Sequence, residues 1–190
     1  MLLSHKEEIS VDLMNFLAKI CLICCCCFWL CSCQNSDLPS TIKAKVKRVV
    51  SGQTIEVWLT QADHFKSKET VRIIGINAPD LQQSPWGKAA QQRLKQLISP
   101  NVSASSIQLK LEKKDPFNRY LAHIWHDKTL ISEQLVKEGY VLADTNYPNQ
   151  YSQRLWYAQE YARLMGYGIW NPQQPMRESP EQFRSQQTKS

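Results

Sequence analysis

The residue types that could carry chemistry are unevenly placed along the 190-residue chain, and their placement decides which chemistry is open to it. All seven cysteines fall between Cys21 and Cys33, and none follows. A disulfide framework or a zinc site draws on cysteines spread through the folded part, so the domain beyond residue 33 is expected to have neither. His123 and His126 lie three apart on a predicted strand, which turns them to opposite faces and keeps them from sharing one ion. His64 has no companion in its loop. Ordinary solvated or core histidines are the expectation for all three. What remains is basic charge. From Gln34 onward 21 Lys/Arg stand against 14 Asp/Glu, a net of +7. Such an excess suits an anionic partner, whether nucleic acid or an anionic lipid surface, and equally serves plain solubility.

Cutting a phosphodiester sets definite demands. Charge that builds on the phosphate must be stabilised, a water must be activated, and the leaving oxygen must be accommodated. Two guanidiniums can grip phosphate oxygens through forked, charge-assisted hydrogen bonds that strengthen as charge develops. A divalent ion adds Lewis-acid polarisation, and a carboxylate can act on the water as base. Arg72 on a predicted strand and Arg119 in a predicted turn are, taken singly, ordinary solvent-facing cations. Only their setting can say more.

The elements that position these groups are legible from periodicity. Residues 41–50 alternate apolar and basic side chains, the signature of a half-buried strand. Ser51-Gly52 breaks it, and residues 54–59 read as a second strand. The polar stretch 60–69 reads as a loop, and residues 71–76 as a third, more buried strand. Ser84-Pro85 supplies an N-cap and a first-turn proline for a helix that places Trp86, Ala90, Leu94, Leu97 and Ile98 on one face, with Ser99-Pro100 as its stop. Residues 107–111 and 121–125 read as two more strands separated by the turn-like Asp115-Pro-Phe-Asn-Arg119. A short helix over 131–138 is closed by Gly139. A last helix near 151–165 turns Leu155, Ala158, Ala162 and Met165 inward and ends at Gly166. Trp125, Trp156 and Trp170 are expected in the core. The expected class is α+β, mainly β: a five-stranded OB-like barrel with three helices. The domain covers 41–171 after a linker at 34–40. Residues 172–190, rich in Gln, Ser and Pro, read as a flexible polar tail.

Five segments carry a resemblance. Val49-Val-Ser-Gly-Gln-Thr-Ile-Glu-Val57 is similar to a strand-turn-strand V-x-D-G-D-T pattern. Val71-Arg-Ile-Ile-Gly-Ile-Asn-Ala-Pro-Asp80 is similar to hydrophobic-R-L-x-G-[IV]-D-[AT]-P-E. Asp115-Pro-Phe-Asn-Arg-Tyr-Leu-Ala122 is similar to D-x-[YF]-G-R-x-L-A, and Leu135-Val-Lys-Glu-Gly139 and Gly168-Ile-Trp170 complete the order. Together they resemble the thermonuclease (staphylococcal-nuclease-like) family. The resemblance implies a monomeric phosphodiesterase acting on DNA or RNA. Its two site arginines are matched by Arg72 and Arg119, and its water-activating glutamate by Asp80. Its calcium positions fall on Gln53, Asn77 and Ala78. Phe117 and Tyr147 lie near the site in the family order and would stack a base.

The departures concern charge. Gln53 and Asn77 stand where the family has calcium-binding aspartates, and Ser51 replaces the other aspartate of the turn. Calcium affinity follows the ligand charge count, so binding is expected to be much weaker. Asp80 withdraws the carboxylate by about one bond, ~1.5 Å, relative to glutamate. A misplacement of ~1 Å can cost on the order of 10²-fold in rate. Two functional classes therefore stay open: a phosphodiesterase with a degraded calcium site, and a non-catalytic descendant that binds nucleic acid or phosphate. A lipid-tethered interaction domain with an idle groove is a third.

Residues 1–33 read as a leader. The apolar run 20–30 is too short for a spanning helix and fits a secretory signal. Its end, Leu30-Cys-Ser-Cys33, resembles a lipoprotein processing site with Cys33 as the lipidated residue; a simple cleaved signal and an uncleaved anchor are the alternatives. The acidic residues Glu7, Glu8 and Asp12 are wrong for the front of a signal, which makes Met14 the expected start. The expected location is outside the cytoplasm, either membrane-anchored or secreted into the periplasm or medium.

Overall fold

Strand β1, Ile42–Ser51, keeps the alternation read from its sequence: Ala44 is buried between exposed lysines 43 and 45. The computed structural model describes residues 41–61, 64–98 and 106–188, without the side chains of 60–66. Met14, Cys33, the linker, the Ser99-Pro100 stop and the side chain of His64 lie outside what is described. Strand β1 pairs antiparallel with β2 (Thr54–Gln61) on one edge and with β5 (Ser106–Lys114) on the other. Strand β2 turns into β3 (His64–Ile73), and β5 into β6 (Tyr120–His126). Closure is parallel: Val71, Arg72 and Ile73 of β3 lie opposite Tyr120, Leu121 and Ala122 of β6. That pairing closes a five-stranded barrel and removes the exposed edges that an open meander leaves.

Ile55, Val57, Val71, Ile73, Ile107, Leu109, Ala122 and Ile124 fill the interior with no exposure to solvent. Each such valine, leucine or isoleucine contributes about 1.5–3 kcal/mol relative to leaving it in water, and Ala122 less. Helix α1, Trp86–Ile98, adds Ala90, Leu94 and Ile98, spaced four apart on one face. Helix α2, Ile131–Lys137, adds Leu135 and Val136, and α3, Ser152–Met165, adds Leu155, Ala158 and Ala162. Arg93 of α1 clamps Glu138, just past α2, through Nε and Nη2 at 2.6 and 2.7 Å. Helix α3 ends on Gly166 at φ 66°, the left-handed conformation that lets the chain turn away. Met165, expected inward, is 51% exposed because the helix's last turn runs past the core, and Trp156 is exposed as well. Trp125 is buried as expected, against Tyr151 at 5.6 Å between ring centres.

Four further features differ from the sequence reading. Residues 64–69 are strand, not loop. The register Thr60↔Phe65 and Gln61↔His64 makes a hairpin, and polar side chains on its two faces are ion-paired, Lys68 to Glu56 on one and Glu69 to Lys114 on the other. The apolar run 71–76 is split by a turn at Ile74-Gly75, after which β4 (Ile76–Asn77) pairs with β8 (Leu142–Ala143) in a separate small sheet. A two-residue strand, β7 (Thr129–Leu130), extends the main sheet beyond β6. Finally, residues 180–187 of the expected tail form a fourth helix, α4 (Pro180–Gln187). It carries a complete capping box, Ser179 with Gln182, and a proline in its first turn. A short helix with so few apolar residues needs tertiary anchors, and it has them on β4 and the loop that follows.

Candidate active site

Arg72 sits on β3 opposite Thr54 of β2 and Leu121 of β6. Its neighbours Val71 and Ile73 point into the barrel, so the alternation of the strand sends Arg72 outward. It is half-buried there, yet among the described residues its guanidinium has no hydrogen-bond or ion-pair partner. Burial, and after it the charge of Arg119, lowers its pKa from the usual arginine range. Asp144 opposes that shift, Arg184 adds to it, and Asp115 opposes it. Arginine stays protonated under any ordinary condition. The guanidinium is thus desolvated, without a partner among the described residues, and under the charges of two other arginines and two carboxylates.

Arg119 closes the turn between β5 and β6, one residue before Tyr120, which pairs with Val71. The closure of the barrel thus brings two arginines distant in sequence to one rim. Asp115 fixes the second of them. Its Oδ2 accepts from Arg119 Nε at 2.7 Å and Nη2 at 2.6 Å, while Oδ1 accepts from the backbone N–H groups of Phe117 and Arg119, both at 3.0 Å. Burial would raise the Asp115 carboxyl. The Arg119 side chain and backbone, with Phe117 N–H, outweigh that and hold it below the usual carboxylate range. One edge of Arg119 is engaged in this way, and Nη1 is not among the groups Asp115 binds. Phe117 lies with its ring centre 5.2 Å from the guanidinium and is 78% exposed, a flat apolar surface beside the cation. Tyr147 is 72% exposed on the loop after β8.

The carboxylates come from two loops. Asp80 follows buried Ala78 and Pro79. Its Oδ1 accepts from Gln82 N at 2.9 Å, and its carbonyl from Gln83 N at 2.9 Å, so the loop is pinned from within. Gly87 of α1 packs directly on it: a Cβ at 87 would stand 1.8 Å from the Asp80 carbonyl oxygen. Asp144, unremarked in the sequence, reaches the rim because β8 pairs with β4. Its N–H donates to the Gly75 carbonyl at 2.8 Å.

The positions matched to calcium hold a different arrangement. Gln53, at the β1–β2 turn, spends its Oε1 on the Ala78 N–H at 2.8 Å. Asn77 Oδ1 accepts from Arg184 Nη2 at 2.6 Å, and the Ala78 carbonyl accepts from Arg184 Nη1 at 3.3 Å. Calcium asks for six to eight oxygen ligands, several of them charged. Here two of the three matched positions offer neutral oxygens to a guanidinium, and the third offers its oxygen to a backbone N–H. Among the described residues no group of three or more His, Cys, Asp and Glu is gathered for a metal. These residues do not fit a calcium ion. His123 is buried in the core against Tyr151, with 4.7 Å between ring centres, and His126 lies on the other side of β6, partly exposed. Cavities of about 410 and about 170 Å³ lie elsewhere, around Tyr140 and Gly168, and neither touches the three arginines.

Two residues of the site escaped the sequence reading, Asp144 and Arg184. The first had no local signal. The second had one, since Ser179-Pro-Glu-Gln182 is a helix start that marks the segment as structured.

The fold and the rim together define a barrel that carries a group of arginines with Asp115 and Asp144 beside them. Among known proteins, the staphylococcal nuclease homologue family matches the chain over residues 70–172. The thermonuclease of Staphylococcus hyicus is 31% identical over 135 residues, covering 67% of this chain and 75% of that protein. The thermonuclease of Staphylococcus intermedius is 32% identical over 132 residues, 66% and 74%. An uncharacterized endonuclease of Haemophilus influenzae is 32% identical over 119 residues, 62% and 61%. The chain belongs to the staphylococcal nuclease homologue family.

Proposed function

We propose that this protein is a nuclease that hydrolyses phosphodiester bonds of DNA or RNA at the rim that bears Arg72 and Arg119, with Asp80 as the carboxylate that activates the water. The observation that carries the proposal is the unpartnered, half-buried guanidinium of Arg72 set against a second, rigidly oriented one. Both arginines bind oxygens of the scissile phosphate. A water oxygen attacks phosphorus and forms the new P–O bond while the ester P–O bond on the far side breaks. Asp80 takes the water's proton, and the leaving oxygen takes one from solvent. Charge on the phosphoryl oxygens is greatest midway, so the forked contacts strengthen there and lower the barrier. Relatives that carry the names thermonuclease and endonuclease support this reaction class.

A second reading, a non-catalytic nucleic-acid binder, is favoured by the amides at Gln53 and Asn77. One experiment separates the two. Fluorescein-labelled single-stranded DNA is incubated with the wild type, Arg72→Ala and Arg119→Ala, with several divalent ions and with none. Cleavage by the wild type that drops in both variants supports the nuclease. Binding without cleavage under any ion, weakening steeply with salt, supports the binder. We further propose that the leader exports the domain to a membrane-anchored or secreted location. Mass measurement of the mature protein from cells tests this: an intact residue 1 or 14 without lipid at Cys33 or processing rules out export by lipidation or cleavage.

A further inference from the structure

The positions where the family pattern places calcium are occupied by hydrogen bonds to an arginine from the far end of the chain. Arg184 Nη2 donates to Asn77 Oδ1 at 2.6 Å and Nη1 to the Ala78 carbonyl at 3.3 Å. Gln53 Oε1, on Ala78 N–H, holds the same segment just past β4. A guanidinium has five N–H donors, so this anchorage leaves three for a ligand. The charge of Arg184 is felt by Arg72, which sets it beside the same rim. The helix that carries it is built to stay in place. Ser179 and Gln182 cap it reciprocally, Pro180 is buried, and Gln83, itself 4% exposed, donates from Nε2 to the Glu178 carbonyl at 2.7 Å.

The loss of two carboxylates and the arrival of this guanidinium explain each other. Aspartates at 53 and 77 would bind Ca²⁺ and draw Arg184 into closed ion pairs. Neutral amides hold it by oxygen atoms and leave its charge free. We propose that Arg184 is the resident cation of this site, doing for the substrate phosphate what a divalent ion does elsewhere, so that binding and cleavage need no metal. This rests on the nuclease reading above, and the same experiment distinguishes the failure of either.

The full chain is assayed on fluorescein-labelled single-stranded DNA in excess EDTA and in millimolar calcium, as wild type, R184Q, R184K and R72A. Calcium binding is followed by titration calorimetry, and folding by thermal melting. The wild type is expected to cleave in EDTA, to be unchanged by calcium and to give no calcium binding heat. R184Q should lose about 10²-fold in kcat, the size of loss seen when one charge-stabilising donor is removed. R184K, which keeps the charge without the fork, should lose less. If R184Q melts far below the wild type, R184K decides: full activity in a folded R184K removes the forked contact, and a partial loss in kcat retains it. The proposal is overturned if the wild type is silent in EDTA and switched on by calcium. It is equally overturned if R184Q matches or exceeds the wild type in EDTA while R72A is inactive. If R72A matches the wild type, or no arm cleaves, the nuclease reading itself fails and this proposal with it.

Discussion

Asp115→Asn separates the two jobs that one carboxylate performs. Asp115 is 9% exposed and Arg119 27% exposed at the side chain, so their contact is largely shielded from water. The asparagine oxygen can still accept the N–H groups of Phe117 and Arg119 that shape the turn. Its amide nitrogen, however, is a donor facing two donors, Arg119 Nε and Nη2. Two charge-assisted bonds are lost while the turn remains. Such bonds contribute about 1.5–3 kcal/mol each at most. Arg119 can recover water on its exposed side, so a total cost of about 1.5 kcal/mol is expected, roughly 3–6 °C in Tm for a domain of this size. Activity should fall further. A guanidinium free to swing by ~1 Å loses on the order of 10²-fold in rate, equal to about 2.7 kcal/mol. Cleavage kinetics and thermal melting measured together should therefore show kcat falling out of proportion to stability, whereas Asp115→Ala, which also undoes the turn, should lower Tm more. An unchanged kcat in a folded D115N protein would refute the claim that this carboxylate aims Arg119.

Other consequences follow from individual contacts. Gly87→Ala must push the Asp80 backbone away from a Cβ that would otherwise stand 1.8 Å from its oxygen. Overpacking of this kind costs about 1–3 kcal/mol, and kcat should drop by ~10²-fold as the carboxylate moves; a Tm loss with normal kcat would free Asp80 from its role. Phe117→Ala should leave Tm intact and weaken oligonucleotide binding, read by fluorescence anisotropy, by about 1–3 kcal/mol if a base stacks there. His123 has its pKa pushed down to about 4, by burial and then by Lys110. Glu112, 3.4 Å away, pulls the other way but is 41% exposed and well solvated, so burial wins. The folded state therefore resists a proton that the unfolded chain accepts near 6.5. Stability is full above about 6.5 and is lost as pH falls toward about 4, on the order of 3 kcal/mol across that window. Denaturant melts of the wild type and His123→Phe should diverge only there, and an NMR titration midpoint near 6.5 would contradict it.

The barrel was legible because its strands alternate or run apolar, and α1 because Ala90, Leu94 and Ile98 repeat at helical spacing. Strand β3 was hidden between 64 and 69: the ladder to β2 holds it, and its ion pairs, Lys68 with Glu56 and Glu69 with Lys114, leave no apolar pattern behind. Helix α4 was hidden by composition. Its anchors are Pro180 and hydrogen bonds to Gln83, Asn77 and Ala78, about 100 residues away in sequence. The resemblance of their motifs to the family singles out Arg72, Asp80 and Arg119, but it does not name their neighbours. Asp144 depends on the β4–β8 pairing, which leaves no local trace; the Ser179-Pro-Glu-Gln182 helix start marks the segment of Arg184 as structured, but where its side chain lands depends on a long-range return of the chain.

A double-mutant cycle on kcat/KM with R72A, R119A and the double variant tests the central claim most directly. Two guanidiniums gripping one phosphate act as a unit, so the double variant should be little worse than either single one, with a coupling of 0.5–3 kcal/mol or more. Losses that simply add would mean that the two arginines serve separate phosphates, and the shared site described for this rim would be wrong.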